Sequence, residues 1–263
     1  MYKKSFGDLP LWQFDIFSSE PGISHFVSGR EGGISTGEKG DLNLSYAVGD
    51  NPDNVFQNRK KVAQAMNVEI DNLFFPQHSH GKRVLNVGYK KEQNFENTDA
   101  LISDVPGFCL ATTAADCVPI LIYDPIKKAI GAVHAGWRGT VAQIVTCAVE
   151  SMVKDFGTDP GDLKVGIGPS ICPQVYEVGE EVIQEVHKVF KNDAEKLLIA
   201  SENKGKAKFN LWEVNKLQLV KLGTQEKNIE VAGICTYTNN GQFFSARASK
   251  NSGRFAAGIL LVS

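Results

Sequence analysis

Three residues in this sequence have the types and settings to do chemistry together. His80 lies in "FFPQHSHGKRV", two residues after His78. Cys117 lies in "TTAADCVPIL", directly after Asp116. His134 lies in "AVHAGWRGT", between an apolar run and two glycines that flank Trp137 and Arg138. Each segment reads as the end of a strand or the loop after it, the kind of position from which side chains converge on one site in α/β and α+β proteins. Two imidazoles and a thiolate would hold a metal and leave a fourth tetrahedral position open, as catalytic zinc sites do. The ion would lower the pKa of a bound water towards ~7. The same residues could instead form a metal-free pair, with Cys117 as nucleophile and a histidine as its base. A cysteine in an apolar run is also commonly just a small core residue, although Asp116 beside it asks for a partner. Arg30, Arg138, Arg247 and Arg254 stand in or beside stretches containing glycine or serine. Such arginines suit an anion held in a loop, or equally a surface ion pair. His187, among the charges of "EEVIQEVHKVF", reads as a helix-surface residue, and His25 in "GISHFVSGR" as a structural one.

The elements that must position these residues follow from periodicity. Residues 108 to 114, 118 to 123 and 128 to 134 read as three strands, separated by "ADC" and by the turn signal "DPIKK". Residues 53 to 66 read as a helix with Val55, Val62 and Met66 on one stripe. Residues 140 to 156 read as another, with Val141, Ile144, Val145, Ala148 and Met152 buried and Gly157 closing it. Residues 179 to 192 and 211 to 222 are two more helices. "VGIGPSICP" is a strand running into a loop, and "EVAGICT", "GQFFSAR" and "FAAGILLV" are late strands. The segment "GREGGISTGEKGD" is an irregular loop, of the sort that inside a compact domain is more often functional. "YKKEQNFEN" reads as a solvated loop. Strands and helices do not alternate strictly. The expected fold is therefore α+β (mixed α/β), a single domain over residues 1–263 with mixed β-sheets and flanking helices.

Composition narrows the function classes. The net charge of −2 supplies no basic face for nucleic acid or anionic membrane. The longest apolar stretches, "VPILIY" and "AAGILLV", are too short to span a bilayer, and the opening residues show no apolar core of a signal peptide. Five scattered cysteines suggest reduced thiols in the cytoplasm and not a disulfide framework. Multicopper chemistry fails on stoichiometry, because five histidines are too few. A lone blue-copper site would want an axial methionine, and Met66 and Met152 are better read as helix core.

Taken in order, "GREGGIS", "DLNLSYAVGD", "HGKRV", "TDALIS", "AADC", "HAGWRGT", "GIGPSIC", "YEVG", "FFSAR" and "SGR" resemble the YfiH/YlmD family, over residues 24 to 262. That family was long named for a laccase domain or multicopper polyphenol oxidase. The resemblance implies a purine nucleoside phosphorylase acting on adenosine, inosine, guanosine and 5′-methylthioadenosine, with phosphate as second substrate, that also deaminates adenosine. It implies a zinc site, with copper second, at His80, Cys117 and His134, which double as the catalytic residues. Gly81 and Val84 fix the register that makes His80 the ligand and His78 a neighbour. Arg30, Asn43, Arg138 and Arg247 are the implied substrate-binding residues. The family's paired arginines after the Ser-aromatic pair are reduced to Arg247 in "SARAS". A Cys–His amidohydrolase or deamidase, of the kind that edits peptidoglycan precursors, is the alternative, and copper polyphenol oxidation a weaker one.

Overall fold

Four successive, mostly apolar strand segments of this chain are buried along their whole length, and a strand can be so only if both of its faces are covered. The computed structural model, which describes residues 1–88 and 93–262, covers them by stacking two sheets between helices. The expected loop "YKKEQNFEN" falls partly outside the described residues. The chain opens with β1 (Tyr2–Phe6), β2 (Leu9–Gln13) and β3 (Ile23–Ser28), crosses the glycine-rich loop, and enters α1 (Pro52–Ala65). Short strands β4 (Leu73–Phe74) and β5 (Val84–Asn86) precede β6 (Ala100–Ser103), β7 (Cys109–Ala114), β8 (Val118–Asp124) and β9 (Ala129–Ala135). Next come α2 (Trp137–Val141), α3 (Ile144–Phe156), β10 (Lys164–Ile167), β11 (Glu177–Val178), α4 (Glu180–Phe190) and α5 (Ala194–Leu197). The chain ends with β12 (Leu198–Ala200), β13 (Ala207–Phe209), α6 (Leu211–Lys221), β14 (Ile229–Val231) and β15 (Phe255–Leu261).

One mixed sheet runs β1-β2-β3-β15-β7-β4 and the other β14-β10-β8-β9-β6-β5; β11, β13 and β12 form a small third sheet. The period of two assigns the faces. Leu121 and Tyr123 of β8 and Ile130 and Ala132 of β9 point towards the first sheet, where they meet Leu110, Ala257 and Ile259. Ile120, Ile122 and Val133 point the other way, into a core shared with Ile144, Ala148 and Met152 of α3 and with Val214 of α6. On the outer face of the first sheet, Ala256 and Leu260 of β15 pack with Val62 and Ala63 of α1. The order is thus helix, sheet, sheet, helices: an α+β fold with mixed sheets, as expected. No helix among the described residues is long and apolar enough to cross a membrane.

The three central strands and α1, α4 and α6 lie within a residue or two of their expected spans. The helix expected from 140 to 156 is broken: Gln143 takes a left-handed φ of 63°, separating α2 from α3, and Gly157 caps the end at φ 70°. The expected strand "GQFFSAR" is instead a chain of turns. Phe243 and Phe244 are both fully buried and anchor this loop in the inter-sheet core. Two consecutive buried side chains do not suit a half-buried strand, which alternates. The β1–β2 hairpin, β3 and the third sheet had no counterpart in the sequence reading.

Candidate metal centre

The strand order β8-β9-β6 brings together residues distant in sequence. In the β6–β9 ladder Ala100 faces Val133, so Asp99 falls beside His134. In the β8–β9 ladder Val118 faces Ala135, so Cys117 falls beside Gly136. His134 is buried and held twice by Asp99: its N–H donates to the Asp99 carbonyl at 2.7 Å, and its Nδ1 lies 3.0 Å from Asp99 Oδ1. The same carboxylate shapes the loop that carries His80. Oδ1 accepts from His80 N–H at 3.0 Å, and Oδ2 accepts from Gly81 N–H at 2.8 Å and from the Ser79 hydroxyl at 3.1 Å. Asp99 is fully buried, yet these hydrogen bonds and the His134 imidazole hold its carboxyl far below the usual range.

Cys117 sits where β7 passes into β8, after Asp116 at φ 84°. Asp116 finds the partners its setting demands: Oδ1 accepts from the Thr236 hydroxyl at 2.6 Å, Oδ2 from Arg247 N–H at 2.7 Å, and its carbonyl from Ile171 N–H at 3.0 Å. One candidate ligand atom from each of His80, Cys117 and His134 lies within 4.8 Å of the others, the one such group among the described residues. Burial alone would raise the Cys117 thiol, but the His134 charge and hydrogen bonds from both histidines bring it down to about 6. Burial would lower His134, but the Cys117 thiolate and Asp99 push it up to about 9. A thiolate and an imidazole already oriented by a carboxylate are the donor set of a zinc site, with the carboxylate in the outer position that fixes the tautomer. The residues fit the ion. His80 is exposed and His134 buried, so the centre opens on the His80 side.

The glycines of "HAGWRGT" now have a use. A Cβ on Gly136 would lie 2.9 Å from Cys117 Sγ and 3.1 Å from His80 Cδ2; one on Gly139 would lie 3.1 Å from the Gly81 carbonyl. The turn after β9 must be bare for the three ligands to meet. His78 stands behind the centre. Its ring stacks on His134 with centroids 4.0 Å apart and 11° between planes, and its Nε2 lies 3.0 Å from the Thr112 hydroxyl on β7. Burial and the neighbouring histidine charges keep this imidazole neutral.

The residues expected to bind substrate are dispersed. Asn43 is fully buried, and its amide is spent on the chain itself: it donates to the Ser45 carbonyl and to Asp50 and accepts from Ser45 and Arg254 N–H groups. Arg30 braces loops, donating to the Gly40 carbonyl at 3.0 and 3.1 Å and to the Asn240 carbonyl at 2.8 Å. Arg138 is exposed, 4.3 Å from the Trp137 ring and 3.8 Å from Glu181. Arg247 lies 5.4 Å from the ring of Tyr176, whose hydroxyl is pushed up by burial and by the nearby Cys117 thiolate. Two further residues escaped the sequence reading, Tyr176, packed against Arg247, and Arg59 on α1. Tyr176 lay unremarked within "YEVG", and Arg59 is disguised as one charge among several on α1.

A profile described as multi-copper polyphenol oxidoreductase laccase matches residues 24–262 of the chain. A protein of Bacteroides thetaiotaomicron named purine nucleoside phosphorylase is 38% identical, the match covering 97% of each chain. Adenosine deaminase RL5, from an unknown prokaryotic organism, is 31% identical over 95% of this chain and 98% of its own. Among solved structures, YlmD from Geobacillus stearothermophilus superposes with a TM-score of 0.90 at 27% identity, over 99% of this chain and 98% of that one.

Proposed function

This chain belongs to the multi-copper polyphenol oxidoreductase laccase family, the group of YfiH and YlmD, and we propose that it is a zinc-dependent purine nucleoside phosphorylase that also deaminates adenosine. Its substrates in this reading are adenosine, inosine, guanosine and 5′-methylthioadenosine. The observation that carries the zinc reading is the His80–Cys117–His134 cluster, with Asp99 fixing the orientation of His134. Zinc, when held by these three residues, would supply Lewis acidity to a substrate or water. Asp99 holds His134 in the tautomer whose Nε2 is free to ligate. Gly136 keeps the cage uncrowded. Arg247 lies against the Tyr176 ring, and its N–H is held by Asp116, the residue before Cys117. No thioether supports a blue-copper reading, since Met66 and Met152 are core residues and Met1 packs against the inter-sheet core.

In phosphorolysis the glycosidic C1′–N9 bond breaks, a phosphate oxygen bonds C1′, and the purine takes up a proton. In deamination water replaces the amino group at C6 and ammonia leaves. The test is metal analysis of the purified protein alongside product analysis. Inosine with phosphate should give hypoxanthine and ribose 1-phosphate, and omitting phosphate should stop it. Free ribose formed without dependence on phosphate would refute the phosphorylase. Adenosine should give both adenine and inosine, with inosine lost on zinc removal. One observation favours a second reading: the lowered Cys117 thiol beside a raised His134 is also what a thiol amidohydrolase needs. Such an enzyme would survive chelation and die on alkylation.

A further inference from the structure

Phosphorolysis needs a cation for the phosphate, and the arginines named above are braced by carbonyls, paired with acid or exposed. Arg59 is half-buried and has only its Nε hydrogen-bonded. It follows Val55 by four residues and precedes Val62 by three, so it takes a position on the buried stripe of α1. Its guanidinium carbon lies 3.9 Å from the ring centre of Phe75 and 4.6 Å from that of Tyr46. Nε donates to the Leu44 carbonyl at 2.9 Å. The two terminal Nη groups have no hydrogen-bond or ion-pair partner among the described residues. No carboxylate acts on the group. Burial lowers it to about 10, and only Tyr46 opposes this. A half-buried guanidinium without a counter-charge carries part of its desolvation cost unpaired, and the aromatic faces offset only some of it.

Its surroundings connect it to the metal centre. Phe75, on whose ring it lies, is three residues before His78, and the His78 ring stacks on that of His134 with centroids 4.0 Å apart. Leu44, which anchors Nε, gives its own N–H to the carbonyl of Arg254 at 2.9 Å. We propose that Arg59 is the phosphate-anchoring residue of this enzyme, receiving two phosphate oxygens on its free Nη fork while Phe75 and Tyr46 fix the plane of the guanidinium. A planar fork held between aromatic faces is preorganised for bidentate oxyanion binding, which a lysine ammonium cannot reproduce. This rests on the phosphorylase reading for its ligand, but the site itself can be tested without turnover.

Inorganic phosphate is titrated into the zinc-loaded full-length protein by calorimetry, for the wild type, Arg59→Met and Arg59→Lys. Arg59→Met should bind phosphate about 10–100-fold more weakly. In inosine phosphorolysis its KM for phosphate should rise by a similar factor while its KM for inosine moves much less; a merely structural role would shift both. Should Arg59→Met lose its cooperative thermal transition, Arg59→Lys decides: roughly tenfold weaker phosphate binding supports the fork, and wild-type affinity overturns it. Phosphate affinity unchanged in a folded Arg59→Met, or no phosphate binding by the wild type, also overturns the proposal. Phosphate bound through Arg59 by a protein that forms no hypoxanthine from inosine would instead refute the phosphorylase and leave the anion site standing.

Discussion

Cys117 is the residue on which the centre turns, because it is the sole thiolate donor and its environment already favours ionisation. Cys117→Ala should reduce zinc from one per chain to none and lower activity at least ~100-fold, since even outer-shell changes at such sites cost 10–100-fold. The fold should persist, because the ligand cluster is small beside the apolar cores. His78 makes the contrast. It touches the centre only through the face of the His134 ring and is not part of the ligand group. His78→Gln should keep a full equivalent of zinc by plasma mass spectrometry. A variant that lost its metal, together with a His80→Gln that kept it, would exchange the roles of the two residues. Occupied ligands should show nitrogen at ~2.0–2.1 Å and sulfur at ~2.3 Å.

At the scale of the element, β3 shows how one polar residue ties a sheet to its flank. His25 on β3 is buried, and its Nε2 accepts from Phe14 N–H at 2.7 Å, next to the rings of Phe14 and Phe17. Burial lowers its pKa to about 4, against 6.5 for the free side chain. The unfolded chain therefore binds the proton first. The contribution of His25 to stability is whole above about pH 6.5 and falls as pH drops from there towards 4. The loss is about 1 kcal/mol by pH 5.5 and about 3 kcal/mol in the limit. Urea midpoints at pH 7.5 and 5.5 should show this difference in the wild type and lack it in His25→Gln. The same pH slope in both proteins would assign it to other groups. The loops obey the same logic of forced contact. A Cβ on Gly33 would fall 2.1 Å from the Asp41 carbonyl, so the glycine-rich loop is folded back on itself and is no slack linker.

Across the whole molecule the centre lies at the end of the seam between the two sheets: His134 comes from the second sheet, and Thr112, which holds His78, from the first. The seam must be rigid for the ligands to keep their places. Ile259 of β15 lies in its middle, fully buried. Ile259→Ala should cost about 2–5 kcal/mol in chemical denaturation, through lost burial and the cavity left behind. Zinc stoichiometry should be unchanged, because no ligand touches that side chain. A cost below about 1 kcal/mol would mean that the two sheets do not share one well-packed core.

What the sequence determined by itself was local. Continuous apolar runs required β7, β8 and β9 to be covered on both faces, and three-to-four-residue spacing marked α1, α4 and α6. The crowding of His134 by two glycines announced a tight turn with a chemical purpose. The pairing of His80, Cys117 and His134 was legible because each closes a strand or follows one, and because the ordered motifs resemble a known family. Other features depended on non-local pairing. Only the β8-β9-β6 order makes Asp99 the neighbour of His134 and the brace of the His80 loop. Only packing turned "GQFFSAR" from a strand into an anchored loop, since backbone propensity yields where burying two adjacent phenylalanines stabilises more. Asn43 looks available in sequence and is sealed in a turn, whereas Arg59 is one charge among several on α1 in sequence and proves half-buried against two aromatic rings without a counter-ion. Periodicity reports which side of an element a residue is on. Whether that side meets water, a partner or an empty socket is decided by the elements packed against it.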